Sequence, residues 1–211
     1  YKRQPIATLK MCVSGLNNQR MLENSETRDE ILSDSRDALD SLSAYFTKLR
    51  DITFNNVEQI PLNATRFSVR DMLEDVIAKT HLPSCKSVEI KIIPDDDVTI
   101  NADFIHLSNI MSNLIENSIK YSSDNVEIDI DYRITDNLAT ISVTDNGFGI
   151  SAKDISHIFD KYYRVPSHND VPGMGLGLTY IKMLVEAHNG TINVSSKPGQ
   201  GSAFTITIPQ T

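Results

Sequence analysis

A chain of 211 residues has room for one or two domains, and its 40% hydrophobic content can supply a core. A net charge of −8 and a pI of about 5.1 argue against a nucleic-acid surface, which would carry a basic patch. No run reaches the roughly 18 apolar residues of a membrane span, and two cysteines, Cys12 and Cys85, make neither a disulfide framework nor a zinc site, which points to a reducing, cytoplasmic compartment.

The chain opens on Tyr1 without a visible signal peptide and reads as a piece of a longer protein. Up to about residue 53 it holds one glycine, Gly15, and one proline, Pro5. Ile6, Leu9, Val13 and Leu16 follow 3-4-3 spacing. After the polar break NNQRMLENSET, a heptad seam runs through Ile31, Ser35, Ala38, Leu42, Tyr45, Leu49 and Ile52. Both stretches predict amphipathic helices. Such a hairpin either pairs with a second copy as a four-helix bundle or packs on the rest of the chain. The expected domains are 1–56, helical, and 57–211.

FNNVEQIPLNATR reads as a linker entering a first strand. Ser68 with Asp71 predicts an N-cap for a helix over 69–79. Strands are expected at 88–93, at VTIN after the acidic turn PDDD, and at 126–134, 138–145, 191–195 and 203–208. Further helices are expected at 103–121 and 175–188, the latter ended by Asn189-Gly190 with glycine in the left-handed position. The fold class is α+β: a helical hairpin followed by a two-layer α/β sandwich.

Seven of the nine glycines fall in three clusters: Gly147 and Gly149; Gly173, Gly175 and Gly177; Gly199 and Gly201. They predict three places where the main chain comes close to something else. On helix 103–121, Asn113, Asn117 and Lys120 share a stripe. Asparagine is a poor helix-interior residue, and two beside a cation suit a hard metal with phosphate; a solvated polar face is the other reading. Asp145 shares the parity of Ile141 and Val143, so it faces the apolar side. There it either accepts from a ligand amine such as that of adenine or serves an Asn-Gly turn. The glycines of VPGMGLGLTY lead into a helix, whose N-terminal amides bind anions. About twenty residues before them, AKDISHIFDKYYRVPSHNDVP, suit a lid. KPGQGSAFTI reads as a hairpin turn, with or without a part in a site.

Taken in order, NLIENSIKYS, DNGFGI, IFDKYYR, GMGLGL and GQGS resemble the N, G1, F, G2 and G3 boxes of sensor histidine kinases, within the GHKL (Bergerat-fold) ATPase superfamily. The resemblance covers roughly residues 66–208. It implies a Bergerat-type sandwich that binds ATP and Mg²⁺, with Asn117 on the metal and Asn113 supporting metal and phosphates. Lys120 would contact phosphate, Tyr121 would pack near the adenine, and Asp145 would accept from its amine. Gly147 and Gly149 would give the base room. Arg164 would reach toward the γ-phosphate; Gly173, Gly175, Leu176 and Gly177 would wrap the phosphates; Gly201 would close the far side.

The hairpin then corresponds to the dimerisation and phosphotransfer domain, whose motif is H-E-x-x-T/N-P. RQPIATLK resembles the stretch just after the histidine of that motif, which places the phosphoacceptor just before Tyr1. In that register Tyr1 stands where the family has an acid and Gln4 where it has Thr or Asn. None of His81, His106, His157, His168 and His188 lies on the hairpin, and all five read as surface or packing residues; His188 would favour a helix dipole. The implied function is an ATP-dependent autophosphorylating histidine kinase core, a cytoplasmic homodimer serving a response-regulator receiver domain and compatible with a membrane-tethered parent. The alternatives are a nucleotide-binding pseudokinase scaffold and a non-kinase GHKL ATPase.

Overall fold

The computed structural model describes residues 31–33, 35, 39, 60–166, 171 and 174–210. The chain divides into two units, Tyr1–Phe54 and Asn55–Thr211. In the first unit the described residues are helical, and the Ser35 hydroxyl donates to the Ile31 carbonyl one turn back, at 2.7 Å. The rest of the expected hairpin, with Tyr1 and Gln4, lies outside the described residues.

The second unit runs β1 (Ala64–Ser68), α1 (Val69–Lys79), β2 (Ser87–Ile92), β3 (Thr99–Asp103), α2 (Phe104–Lys120), β4 (Asn125–Thr135), β5 (Leu138–Asp145), α3 (Ala152–Ile155), α4 (Gly177–Ala187), β6 (Thr191–Ser196) and β7 (Ser202–Pro209). Five strands form a mixed sheet in the order β2-β4-β5-β7-β6. The β2–β4 pair is parallel and the others are antiparallel. The helices α1, α2 and α4 pack together, with α2 on β4 and β5 and α4 on β6 and β7, so the expected two-layer sandwich is present. Among the described residues no helix is long and apolar enough to cross a membrane.

Alternation makes this core. On β4, Val126, Ile128, Ile130 and Tyr132 are buried, while Glu127 and Asp129 face out. Ala139, Ile141 and Val143 of β5 and Phe204, Ile206 and Ile208 of β7 continue the buried face. Leu107, Ile110, Met111, Leu114 and Ile115 of α2 cover it. Each Val, Ile, Leu, Met or Phe among them contributes about 1.5–3 kcal/mol on burial. Asp136 and Asn137, at φ 53° and 59°, close the β4–β5 hairpin in the two-residue turn whose twist matches its strands.

Four local expectations change. The VTIN strand becomes β3, which leaves the main sheet and pairs antiparallel with β1, Ala64 opposite Asp103. Asp103 is not the first helical residue but the N-cap of α2: one carboxylate oxygen accepts the His106 amide at 2.9 Å and the other the Asn63 amide at 2.8 Å. α4 starts at Gly177 rather than 175, because Gly175 at φ 69° is left-handed. At its other end Asn189, at φ 54°, takes the left-handed position expected of Gly190; Gly190 is needed instead because a Cβ there would lie 2.4 Å from the Thr207 carbonyl oxygen.

His188 is buried and does not serve the helix dipole as a cation. Its Nδ1 donates to the Leu184 carbonyl at 2.7 Å, and its Nε2 accepts the Asp103 amide at 3.1 Å. Those two bonds require the neutral ring. They tie the end of α4 to the start of α2. The two helices therefore run oppositely, and the N-terminus of α4 comes beside the later turns of α2.

Candidate functional site

Side-chain oxygens cap α1, α2 and α3 at Ser68, Asp103 and Ser151. α4 has Leu176 at this position and no side-chain cap. Its first amides therefore lack the usual intramolecular acceptor, and they carry the positive end of the helix dipole. The asparagine stripe faces this end. A Cβ on Gly177 would lie 3.6 Å from Asn113 Oδ1 and 3.9 Å from Asn117 Nδ2. Asn113 is buried with its Nδ2 donating to the Asn109 carbonyl at 2.6 Å, which leaves Oδ1 as the acceptor turned toward the α4 end. Leu176 is itself a core side chain; its carbonyl accepts the Tyr180 amide at 2.9 Å and starts the helix.

A turn further on, Lys120 is half-buried. Burial first, and then the Arg164 charge, hold its ammonium below the usual range. Burial pushes the Tyr121 phenol up, with Arg164 working against it. The Lys120 Nζ stands 5.1 Å from the centre of the Tyr121 ring, and the Arg164 guanidinium donates to the Val171 carbonyl. Lys120, Tyr121 and Arg164 thus converge, and two cations held near each other offer an anion charge-assisted hydrogen bonds.

Asp145 sits at the end of β5 on the apolar side, as its parity predicts, but the chain itself provides its donors. Oδ1 accepts the Gly147 amide at 2.9 Å and the Ser202 amide at 3.1 Å; Oδ2 accepts the Ser118 hydroxyl at 3.1 Å. Burial outweighs these bonds and pushes the carboxyl above the usual carboxylate range.

The close approaches that the glycine clusters predict are, at four described positions, approaches to the chain itself. A Cβ on Gly147 would meet the Tyr121 carbonyl oxygen at 2.7 Å, one on Gly149 the Lys197 carbonyl oxygen at 2.0 Å, one on Gly175 the Tyr163 carbonyl oxygen at 2.5 Å, and one on Gly201 the Asp145 carbonyl oxygen at 1.8 Å. The glycines weld the loops to one another around Asp145 and the start of α4. Gly173 and His168 lie outside the described residues.

The first part of the expected lid is built rather than open. Asp154 accepts the Tyr163 hydroxyl at 2.7 Å, Thr179 of α4 donates to the Phe159 carbonyl at 3.0 Å, and the Tyr162 amide donates to the Gly175 carbonyl at 2.9 Å. Sequence reasoning misses Ser118, Ser122, Ser196 and Ser202. Ser196 accepts the Ile150 amide at 2.8 Å and donates to the Gly201 carbonyl at 2.7 Å, joining the DNGFGI and GQGS loops. The only local signal is the spacing of Ser118 and Ser122, where the second hydroxyl donates to the first carbonyl at 2.6 Å.

The family described as "Histidine kinase-, DNA gyrase B-, and HSP90-like ATPase" matches residues 102–211, more than half of the chain. Sensor histidine kinase WalK of Bacillus subtilis is 27% identical over 212 residues, 98% of this chain and 34% of that protein. The chain spans between 20% and 41% of the length of three curated relatives it matches. Histidine kinase AdeS of Acinetobacter baumannii shares the fold with a TM-score of 0.60 at 22% identity, covering 99% of this chain and 96% of that one. Full-length ShkA in complex with AMPPNP does so with a TM-score of 0.65 at 22% identity, covering 89% and 39%.

Proposed function

The chain belongs to the histidine kinase-, DNA gyrase B-, and HSP90-like ATPase family, and from that premise we propose that it is the ATP-binding and phosphotransfer core of a two-component sensor histidine kinase. The observation that carries the reading is the meeting of the asparagine stripe with the uncapped start of α4, flanked by Lys120 and Arg164. The relatives support it: WalK is named a sensor histidine kinase, and ShkA was solved with AMPPNP.

The donor set fits a divalent ion shared with phosphate. Among the described residues no group of three or more His, Cys, Asp or Glu could hold a metal, whereas asparagine oxygens leave room in the shell for phosphate oxygens and water. Mg²⁺ supplies neutralisation of phosphate charge when bound. Asn117 is its ligand, with Asn113 in support. Lys120 and Arg164 face the phosphates, Gly177 opens the first turn of α4 to them, and Gly173, Gly175 and Leu176 serve the phosphates ahead of the helix. Asp145 accepts the adenine amine through the lone pair that Ser118 leaves on Oδ2. Tyr121 packs near the base, and the main chain at Gly147, Gly149 and Gly201, held against Tyr121, Lys197 and Asp145, borders it.

In the reaction, the γ-phosphoryl group leaves ADP and bonds to a neutral imidazole nitrogen of a histidine preceding Tyr1, then passes to an aspartate of a response-regulator receiver domain. Residues 1–56 would serve dimerisation and follow the histidine in the chain. The chain extended upstream through that histidine, incubated with γ-labelled ATP, should acquire acid-labile, base-stable phosphate. Tyr1 and Gln4 depart from the motif and favour a second reading, a nucleotide-binding scaffold. Nucleotide binding without any such label would select it.

Asp145 adds a pH test with opposite signs for binding and stability. Its folded pKa lies above that of the unfolded chain, so the native state holds more protons as the pH falls through the interval between them. The Asp145 contribution to stability should then rise on acidification, against the opposite contributions of Asp97, Asp103 and Asp154, whose carboxyls are held below the usual range, while affinity for adenine nucleotides should fall, because a protonated Oδ2 is a poorer acceptor. In Asp145→Asn both pH-dependent components should vanish, which separates them from titration of the nucleotide; affinity profiles of equal slope in the two proteins would contradict the assignment.

A further inference from the structure

The last turn of α2 ends in Lys120-Tyr121-Ser122-Ser123, without the glycine that often closes a helix. Its carbonyls find other donors. Asn117 accepts the Tyr121 amide at 2.9 Å, and Ser118 accepts the Ser122 hydroxyl. The carbonyls of Ile119 and Ser122 both accept one ammonium, that of Lys86, at 2.7 Å each. Lys86 comes from the segment between α1 and β2, 33 residues before Ile119. As a cation at a helix C-terminus it also meets the negative end of the dipole.

The two carbonyls bracket Lys120 and Tyr121. The Tyr121 carbonyl accepts the Phe148 amide at 2.9 Å, so the position of this turn passes to the loop after Asp145. One turn earlier, Ser118 holds Asp145 Oδ2. We propose that Lys86 is a positioning residue of the nucleotide site: by clamping the Ile119 and Ser122 carbonyls it fixes where Lys120 and Tyr121 stand and where the Phe148 loop hangs from them. This rests on the nucleotide reading of the site.

The test compares K86M and K86R with the parent chain by calorimetry with AMPPNP in magnesium buffer, by hydrogen exchange at the Phe148 amide, and by thermal melting. K86M should bind about tenfold more weakly, the scale of a lost hydrogen bond to a charged group, and should exchange Phe148 faster. K86R, which keeps a cationic donor, should restore most of both. A cap that serves stability alone would lower the melting temperature and leave affinity unchanged; that result overturns the proposal, as does K86R binding no better than K86M. If K86M fails to fold, K86Q carries the same comparison. If the parent chain binds no AMPPNP, the site reading fails by itself, and Phe148 exchange then decides whether Lys86 sets the loop.

Discussion

Asn117→Ala should weaken magnesium-dependent binding of an ATP analogue by at least tenfold and toward a hundredfold, the range seen even for residues that only support a metal ligand. The expected loss belongs to the metal arm of binding, so calorimetry with and without magnesium should converge on one weak affinity in the variant. Helix damage would not explain it. Asn117 lies inside α2, where alanine has the higher helix propensity, so melting should be unchanged or slightly improved. Asn117 is half-buried beside the start of α4 with Nδ2 facing Gly177, and because alanine removes the whole amide, it is a loss confined to magnesium buffer that assigns the effect to the oxygen. Affinity equal to that of the parent in magnesium buffer would remove Asn117 from the metal and break the central link of the functional reading.

Gly201→Ala should destabilise the second unit by about 3 kcal/mol, the sum of a strained backbone and an overpacked contact. For a unit of this size that lowers the melting temperature by roughly 10 °C. The residue sits at φ 76°, and the added methyl carbon would stand 1.8 Å from the Asp145 carbonyl oxygen and 2.8 Å from its carbonyl carbon, both backbone atoms. Two residues earlier lies a natural control. Gly199 has φ 74°, nearly the same conformation, yet a Cβ there meets nothing within 4 Å. Gly199→Ala should therefore cost only the left-handed backbone term, about 1 kcal/mol. The difference between the two variants isolates the contact of the β6–β7 turn with Asp145. Two variants of equal stability would mean that this contact yields without cost.

Much of the second unit is legible in the sequence because the signals are local. Period-two alternation marks β4 and β5, and period-3.6 spacing with a Ser68 cap marks α1 with the bounds observed. The order of the boxes points to a site on α2, the β5–α3 loop, the start of α4 and the β6–β7 turn, and Asn113, Asn117 and Gly177 do meet. The glycine clusters announce close approach without saying to what. Only the folded chain identifies the neighbour: another loop at Gly149 and Gly175, the C-cap of α2 at Gly147, and the last residue of β5 at Gly201.

Read by itself, the amino-acid order determined the helices and strands of the second unit apart from α3, which of their faces are apolar, and which family the boxes resemble, because each of these depends on neighbours within a few residues. Tertiary structure alone decided that β3 leaves the main sheet, that neutral His188 bridges 85 residues to Asp103, that Ser118 reaches Asp145 across 27, and that Lys86 clamps the end of α2. Those contacts join residues far apart in the chain, and no local period encodes which distant donor will satisfy a buried carbonyl or carboxylate.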